Sequence, residues 1–257
     1  GMSNVPGATR ALAILQALGK AGSPMPAAAI ASKLKLPRSS TYHLLAAMEK
    51  DGFVIHFPED QRWGLGVSAF ELGSAYLRHD PLERLARPLL ARLVRETEKI
   101  IPAVAQLGIL QNNEVLYLAK EVPHQPVTIV SEVGVRLPAH LTASGKAILC
   151  QLDAKQVRAM YGGNSALPTR TGKGPESVKE LSQDLLEAKL RGFSFENGFV
   201  TDGFASIAVA VLNHLQMPVA AIGMTFRNDA NAEAHQEFLV KQLQVAAAEL
   251  SKRLGSH

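Results

Sequence analysis

The sequence predicts an α+β fold in two parts. Three short helices closed by a β-hairpin come first, then a helical linker, then an antiparallel sheet with helices packed on it. Three observations predict this. In the stretch KLPRSSTYHLLAAMEKDGFV, Lys35 to Val54, the residues Thr41, Leu44, Leu45 and Met48 recur at i, i+3, i+4 and i+7, one face of an amphipathic helix, and an alternating strand follows at once. Every charged residue before Glu49 is basic: Arg10, Lys20, Lys33, Lys35 and Arg38. From Ile100 onward, runs of apolar strand residues separated by turns take over, with helical runs between them.

The chain has 257 residues, 47% hydrophobic and 19% charged, enough apolar material for a sizeable core and too little charge for a disordered chain. Its formal charge is +4 and its pI about 9.2, a mild bias. The acid-free N-terminal stretch says more, because a basic segment suits a polyanion such as nucleic acid. Cys150 is the one cysteine, so neither an intramolecular disulfide nor a Cys-based zinc site can form, in keeping with a reducing cytoplasm. No apolar run approaches the ~18 to 20 residues needed to cross a bilayer. The start of the chain lacks the charged-then-apolar layout of a signal peptide. The expectation is a cytoplasmic protein with no membrane partner. Gly1 ahead of Met2 reads as the remnant of a cleaved tag and is set aside.

The first helix runs over Arg10–Gly19, where Ala11, Ile14, Leu15 and Leu18 share a face and Gly19 and Gly22 stop it. Ser23 to Pro26 is a turn. The second helix, Ala27 to Leu34, aligns Ala27, Ile30, Ala31 and Leu34, small enough for a close helix crossing. Pro37 suits the first position of the third helix, where its missing N–H costs nothing. The outer face of that helix carries Ser39, His43, Ala46 and Lys50, a small and polar surface that a DNA major groove accepts. Gly52 ends it. Phe53, Ile55 and Phe57 then lie on one side of a strand, with Val54 and His56 on the other. Pro58-Glu59-Asp60 is turn chemistry. On the return strand Trp63 and Leu65 oppose Arg62 and Gly64. The hairpin makes a wing, and the order helix, helix, helix, hairpin is far more specific for DNA binding than any single helix, which alone reads equally well as a surface helix.

Val67 to Arg78 is helical again, with Phe70 and Leu77 on one face, and Asp80-Pro81 interrupts. The run Leu82 to Lys99 follows, with Leu85, Leu89 and Leu93 spaced by four. The break divides the chain into a DNA-binding domain, residues 8–67, a linker helix, 68–80, and a second domain, 81–257. The helices from Val67 to Lys99 suit a rigid linker, a dimer surface, or both. Beyond them, Val104–Leu107 and Val115–Ala119 are strands around the turn Gln111-Asn112-Asn113, and Val127–Val130 is a third. Thr142 to Leu152 is a helix with Thr142 as N-cap. A Gly/Pro/Thr-rich loop spans Gly162 to Gly174. Ser177 to Arg191 is an amphipathic helix stopped by Gly192, and a strand starts at Phe193. Ala205–Leu212 and Val219–Phe226 form a hairpin, and Ala232 to Leu254 is one long closing helix.

Four stretches make the chain resemble the IclR family of bacterial transcription regulators over essentially its whole length. RALAILQAL matches the family's opening. LPRSSTYHLLAAMEKDGFV, followed by RWGLGVSAFELGSAYL, is similar to its winged helix and linker helix. GVRLPAHLTASGKAIL resembles its effector-domain stretch, and RGFSFENGFVTDGFASIAVAVLNHLQMPVAAIGM the paired strands that close its ligand pocket. The resemblance implies a winged helix-turn-helix, a helical linker and a GAF-like effector-binding domain. It also implies homodimers, commonly assembled into homotetramers, on palindromic double-stranded operator DNA.

For DNA, the candidate residues are Arg38, Ser39, Ser40, Tyr42 and His43 at the start of the third helix, and Arg62 on the wing. Arginine pairs with guanine, hydroxyls bind phosphate or base edges, and a minor groove attracts a wing arginine. For the effector, the helix start near Ala143-Ser144-Gly145 offers N–H groups that suit a carboxylate. The resemblance implies pocket positions at Ala143 and Ser144, where the family often has Gly-Ala, at Glu196, often Asp, and at Ser206, often Cys. Ala208, Gly223 and Thr225 complete the set. Gly223, read as leaving room opposite Ser206, and the nearby Phe193, Phe195, Phe199 and Phe204 favour an aromatic acid among small organic acids. No cofactor or metal is expected.

An enzyme needs a chemistry that the chain does not spell. Ser144-Gly145-Lys146 lacks the glycine spacing of a P-loop, neither HExxH nor G-x-S-x-G occurs, and the histidines are scattered. Cys150 lies beside an apolar run, as an inert thiol does. The remaining alternative is a winged-helix protein whose second domain binds another protein; a polar-lined cavity there would favour a small-molecule effector instead.

Overall fold

The structure, a computed structural model, describes residues 4–78, 81–125, 127, 133–162 and 166–255. The chain divides between residues 80 and 81 into two compact units, with residues 155–159 grouping with the first.

In the first unit, α1 (Pro6–Ala21) starts on a proline, β1 (Met25–Pro26) follows, and then come α2 (Ala27–Leu34) and α3 (Arg38–Lys50). Pro37 is not the first helical residue. Its ψ of 144° keeps it extended as the N-cap, and its carbonyl accepts from both the N–H and the hydroxyl of Thr41, at 3.1 and 3.0 Å. The wing is β2 (Val54–Phe57) against β3 (Arg62–Leu65), and β1 adds to its edge through Met25↔Trp63 and Pro26↔Arg62. Sequence reading takes Ser23–Pro26 for a turn, because two residues carry no period and proline is tolerated on a sheet edge. Ile14, Leu18, Ile30, Leu45, Met48, Val54 and Trp63 form the core. The wing turns Val54, His56 and Trp63 inward, the two rings 4.4 Å apart, and leaves Ile55 and Phe57 exposed. α4 (Val67–Arg78) likewise exposes Val67, Phe70 and Leu72.

The second unit opens with α5 (Leu82–Glu98). Its Leu82, Ala86, Leu89, Leu90, Leu93 and Val94 are buried in the main core, so it belongs to this unit and not to a linker. The strands are β4 (Val104–Gln111), β5 (Glu114–Glu121), β6 (Arg136–Pro138), β7 (Ser194–Asn197), β8 (Phe204–Leu212) and β9 (Pro218–Arg227). Among the described residues they form one antiparallel sheet in the order β6-β5-β4-β9-β8-β7. Asn112, at φ 56°, makes the tight turn of the first hairpin. The expected third strand lies elsewhere: Val127 is in no strand, residues 128–130 fall outside the described residues, and Arg136–Pro138 pairs with β5.

The helices α6 (Ala143–Leu149), α7 (Ala154–Tyr161) and α8 (Val178–Arg191) follow the first three strands of this sheet, and α9 (Ala230–Ala234) and α10 (Gln236–Gly255) close the chain. α5 and α10 share the core with Leu107, Ile207, Ile222 and Met224, on one face of the sheet. The other face, with Ala208 and Ala221, receives α6 through Ala143, Ala147 and Ile148. Alternate residues of one strand thus serve opposite layers. Sequence reading merges α9 and α10; the helix breaks at His235, and Asp229 caps α9. It also runs α6 three residues too far and passes over α7. Among the described residues no helix is long and apolar enough to cross a membrane.

Candidate DNA-reading surface and ligand cavity

α3 is held by Thr41, Leu45 and Met48, which are buried, so the helical period turns Arg38, Ser39, Tyr42 and His43 to solvent and leaves Ser40 half-buried. No side chain caps its start. The first N–H groups of such a helix have no acceptor within it and suit a phosphate. Lys35, in the left-handed conformation at φ 55°, is also exposed on the turn before α3, a basic residue not counted among the expected contacts. Arg62 is placed differently from the rest. Its guanidinium donates to the Pro24 carbonyl at 3.2 Å and lies 3.7 Å from Asp60, which ties it to the base of the wing.

In the second unit a small, partly enclosed cavity lies where α6 meets the sheet. Its volume is about 30 Å³, on the order of two water molecules. Ala143, Ser144, Glu196, Ser206, Gly223 and Thr225 all line it. Ala208 does not: register pairs it with Gly223, and it is buried beneath that residue against α6. The wall also includes Gln106, Tyr117, Val200 and Thr201, which sequence reading missed, and Thr142, Leu137 and Phe204. Gln106 and Tyr117 did leave a signal, a polar atom inside each of the apolar runs Val104–Leu107 and Val115–Ala119.

Local sequence explains the ceiling. Thr142 caps α6 by accepting the Gly145 N–H at 2.9 Å. At Gly145 a Cβ would meet the Ala139 carbonyl oxygen at 2.3 Å, so only glycine lets the helix sit this low. At Gly223 a Cβ would lie 2.8 Å from Ser144 Oγ. That space is therefore filled by Ser144, and Ser206 stands opposite Thr225, not Gly223. Of the four phenylalanines, Phe204 alone reaches the wall among the described residues; Phe193 and Phe195 pack on the main core, and the Phe199 ring lies 4.9 Å from Lys146 Nζ. The room expected opposite Ser206 is absent, and one of the four phenylalanines lines the cavity.

A polar chain crosses the floor. Glu196 bonds the Ser206 hydroxyl, Ser206 Oγ lies 2.8 Å from Thr225 Oγ1, and Thr225 Oγ1 lies 3.3 Å from Gln106 Oε1. Burial pushes the Glu196 carboxyl up from the usual range, against Ser206, the N–H groups of Phe199 and Val200, and Lys146, which hold it down. Burial also raises the Tyr117 phenol, which bonds Ser144 and Thr142. Behind the wall Lys146 is 1% exposed; its ammonium donates to Asp184 of α8 at 2.8 Å and to the Phe195 carbonyl at 2.7 Å. Burial lowers its pKa and Asp184 opposes that. The ion pair and the Ser194 hydroxyl, which donates to the Ala143 carbonyl, join α6 to β7 and α8. Among the described residues no group of His, Cys, Asp and Glu side chains is placed to hold a metal ion.

A winged helix-turn-helix joined to a second, α+β domain defines a class: two-domain DNA-binding transcription regulators. The family described as IclR helix-turn-helix domain matches residues 7–55, and bacterial transcriptional regulator IclR C-terminal matches residues 74–252. The chain belongs to the IclR family, whose members regulate transcription and are not enzymes. It is 30% identical over 216 residues to the HTH-type transcriptional repressor AllR of Klebsiella pneumoniae, covering 84% of this chain and 78% of that one. It is 27% identical over 217 residues to the transcriptional repressor IclR of Escherichia coli (strain K12), with the same coverage. Its fold is similar to the crystal structure of Thermotoga maritima IclR, with a TM-score of 0.64 at 24% identity over 96% of this chain and 98% of that one.

Proposed function

We propose that this regulator represses a catabolic operon from the bacterial cytoplasm and responds to a small organic acid bound in the cavity beneath α6. One observation carries the reading: a cavity with a mixed polar lining, built from six of the seven expected residues, in a family of DNA-binding regulators. Its polar lining favours a small molecule over a protein partner for this domain. Its volume of about 30 Å³ favours a short-chain acid over an aromatic one. The first N–H groups of α6 receive the carboxylate, with the Ser144, Ser206 and Thr225 hydroxyls around it. Arg38, Ser39, Ser40, Tyr42 and His43 read operator DNA, while Arg62 supports the wing. α4 carries the coupling, because α5 is part of the sensor core, and its exposed Val67, Phe70 and Leu72 suit a homodimer or homotetramer on a palindromic site. Repression is supported by the relatives named above.

The test is fluorescence anisotropy on the DNA upstream of the protein's own gene, with and without a panel of short organic acids. An acid that prefers one of the two DNA-affinity states shifts operator affinity by about 5- to 150-fold. Specific DNA binding that no acid in the panel alters would overturn the sensor assignment and leave the family intact.

A further inference from the structure

The wall of the cavity has an unusual charge balance for a site that receives an acid. Among its described lining residues Glu196 is the only charged side chain, and none is Lys, Arg or His. Lys146 lies behind the wall with its ammonium engaged by Asp184 and the Phe195 carbonyl. An ionised ligand beside an ionised Glu196 would place two like charges in a small, partly desolvated space, where at least one pKa rises.

The surroundings of Glu196 leave its charge in balance. The side chain is 3% exposed, the Phe199 N–H donates to it at 3.0 Å, and the Ser206 hydroxyl, itself 2.8 Å from Thr225 Oγ1, bonds the carboxyl. Burial works against the ionised form and these bonds work for it, so a charge brought into the cavity decides the outcome.

We infer that an acid effector enters this cavity together with one proton, taken from solvent and held on Glu196, so that Glu196 meets the ligand as a hydrogen-bond donor. The ligand stays a carboxylate; the carboxyl of Glu196 goes from ionised to neutral. Glu196 thereby sets the ligand class: monoanions bind with a proton, and a dianion would need more positive charge than the wall holds. The groups facing Glu196 are Tyr117 from β5 and Lys146 from α6, the latter balanced by Asp184 and sensing Arg191 at the end of α8. Lys173 and Asp202 pair with each other at 3.9 Å near Gly198 and are exposed. This inference rests on the acid-effector reading above.

The experiment is titration calorimetry of the full-length protein with lactate, benzoate and the uncharged erythritol, each in phosphate and in Tris, whose ionisation heats differ widely. The expected result is lactate binding with uptake approaching one proton. Affinity is full below the pKa of Glu196 in the ligand-free protein and falls about tenfold per pH unit above it, until the pKa of the complex is reached. Glu196→Gln, which keeps a donor and cannot ionise, should bind lactate with no uptake and a flat pH profile, more tightly than wild type at high pH. Carbon-13 NMR of labelled glutamate carboxyls supplies a readout independent of that variant: one resonance, absent in Glu196→Gln, should titrate above the ordinary range and move higher with lactate. An acid that binds without uptake, or a Glu196 carboxyl that titrates at or below the ordinary range and stays there with lactate, overturns the inference alone. Binding of erythritol and of neither acid, or of none of the three, overturns the acid reading beneath it.

Discussion

Replacing Asp184 by Ala should strip the ammonium of Lys146 of its counter-charge while leaving it buried. Lys146 is 1% exposed and Asp184 is 24% exposed, so the lysine cannot reach water where the aspartate can. Removing one partner of a buried ion pair costs about 3–5 kcal/mol, and water entering beside the former Asp184 places this case near the lower end, about 3 kcal/mol. Lys146→Met reverses the asymmetry. It leaves an apolar chain in the lysine's space and an aspartate that can rehydrate, at a cost of about 1 kcal/mol. The double variant should therefore be about 2 kcal/mol more stable than Asp184→Ala alone, a non-additivity that a double-mutant cycle reads directly. The pH dependence has a definite sign. Burial holds Lys146 below its ordinary value, so between its folded pKa and about 10.4 the unfolded chain binds more protons and stability rises with pH. Without Asp184 the depression deepens, and the variant should regain stability as pH is raised toward about 10. Urea unfolding followed by far-UV circular dichroism measures this. Fluorescence of Trp63, the one tryptophan, reports the first unit and should not move. An Asp184→Ala loss below about 1 kcal/mol, or a double variant as weak as Asp184→Ala, would refute the reasoning.

Arg38→Ala should weaken operator binding and reduce the salt slope of log K by about one, with Trp63 fluorescence unchanged; an unaltered slope removes Arg38 from the phosphate or base contacts. Gly223→Ala should cost about 1–3 kcal/mol by pressing on Ser144 Oγ, and adding Ser144→Ala should return much of it in thermal unfolding. Equal losses in the single and double variants would mean that the clash lies elsewhere. Tyr161→Phe should be neutral or stabilising by up to about 1 kcal/mol, because the Tyr161 hydroxyl is buried without a hydrogen-bond partner among the described residues. A clear loss of stability would show that a water holds it.

The elements most legible in the sequence are those with both a period and punctuation. α2 runs over the expected Ala27–Leu34, α8 lies between its cap Ser177 and Gly192, and the hairpin of β4 and β5 turns where Asn112 and Asn113 place it. What stayed hidden depends on facts the period cannot hold. β1 is too short to alternate, α7 buries few residues, and His235 breaks a helix inside a run of good helix formers. The cavity was half legible for the same reason. Period 2 puts Ser206 and Ala208 on one face, yet only the position of α6 decides that Ser206 meets open space and Ala208 meets helix. Gly223 suggested room opposite Ser206, and the register of β8 on β9, which no local pattern specifies, sets it opposite Ala208 instead. Gln106 and Tyr117 were passed over because they come from strands that precede the family's recognisable stretches.

The seam of the sheet has a consequence for synthesis. The hairpins β4–β5 and β8–β9 are local, but they join along β4 and β9, where Gln106 and Thr225 are 119 residues apart. A ribosome finishes the winged unit early, and domains fold as units in the order in which they emerge. The far wall of the cavity arrives only when Thr225 leaves the exit tunnel, and its pairing across so long a loop is slow to form. For that interval each nascent chain carries its winged unit and only half of its cavity. On the proposed reading, the part that grips DNA is made first and the part that responds is made last.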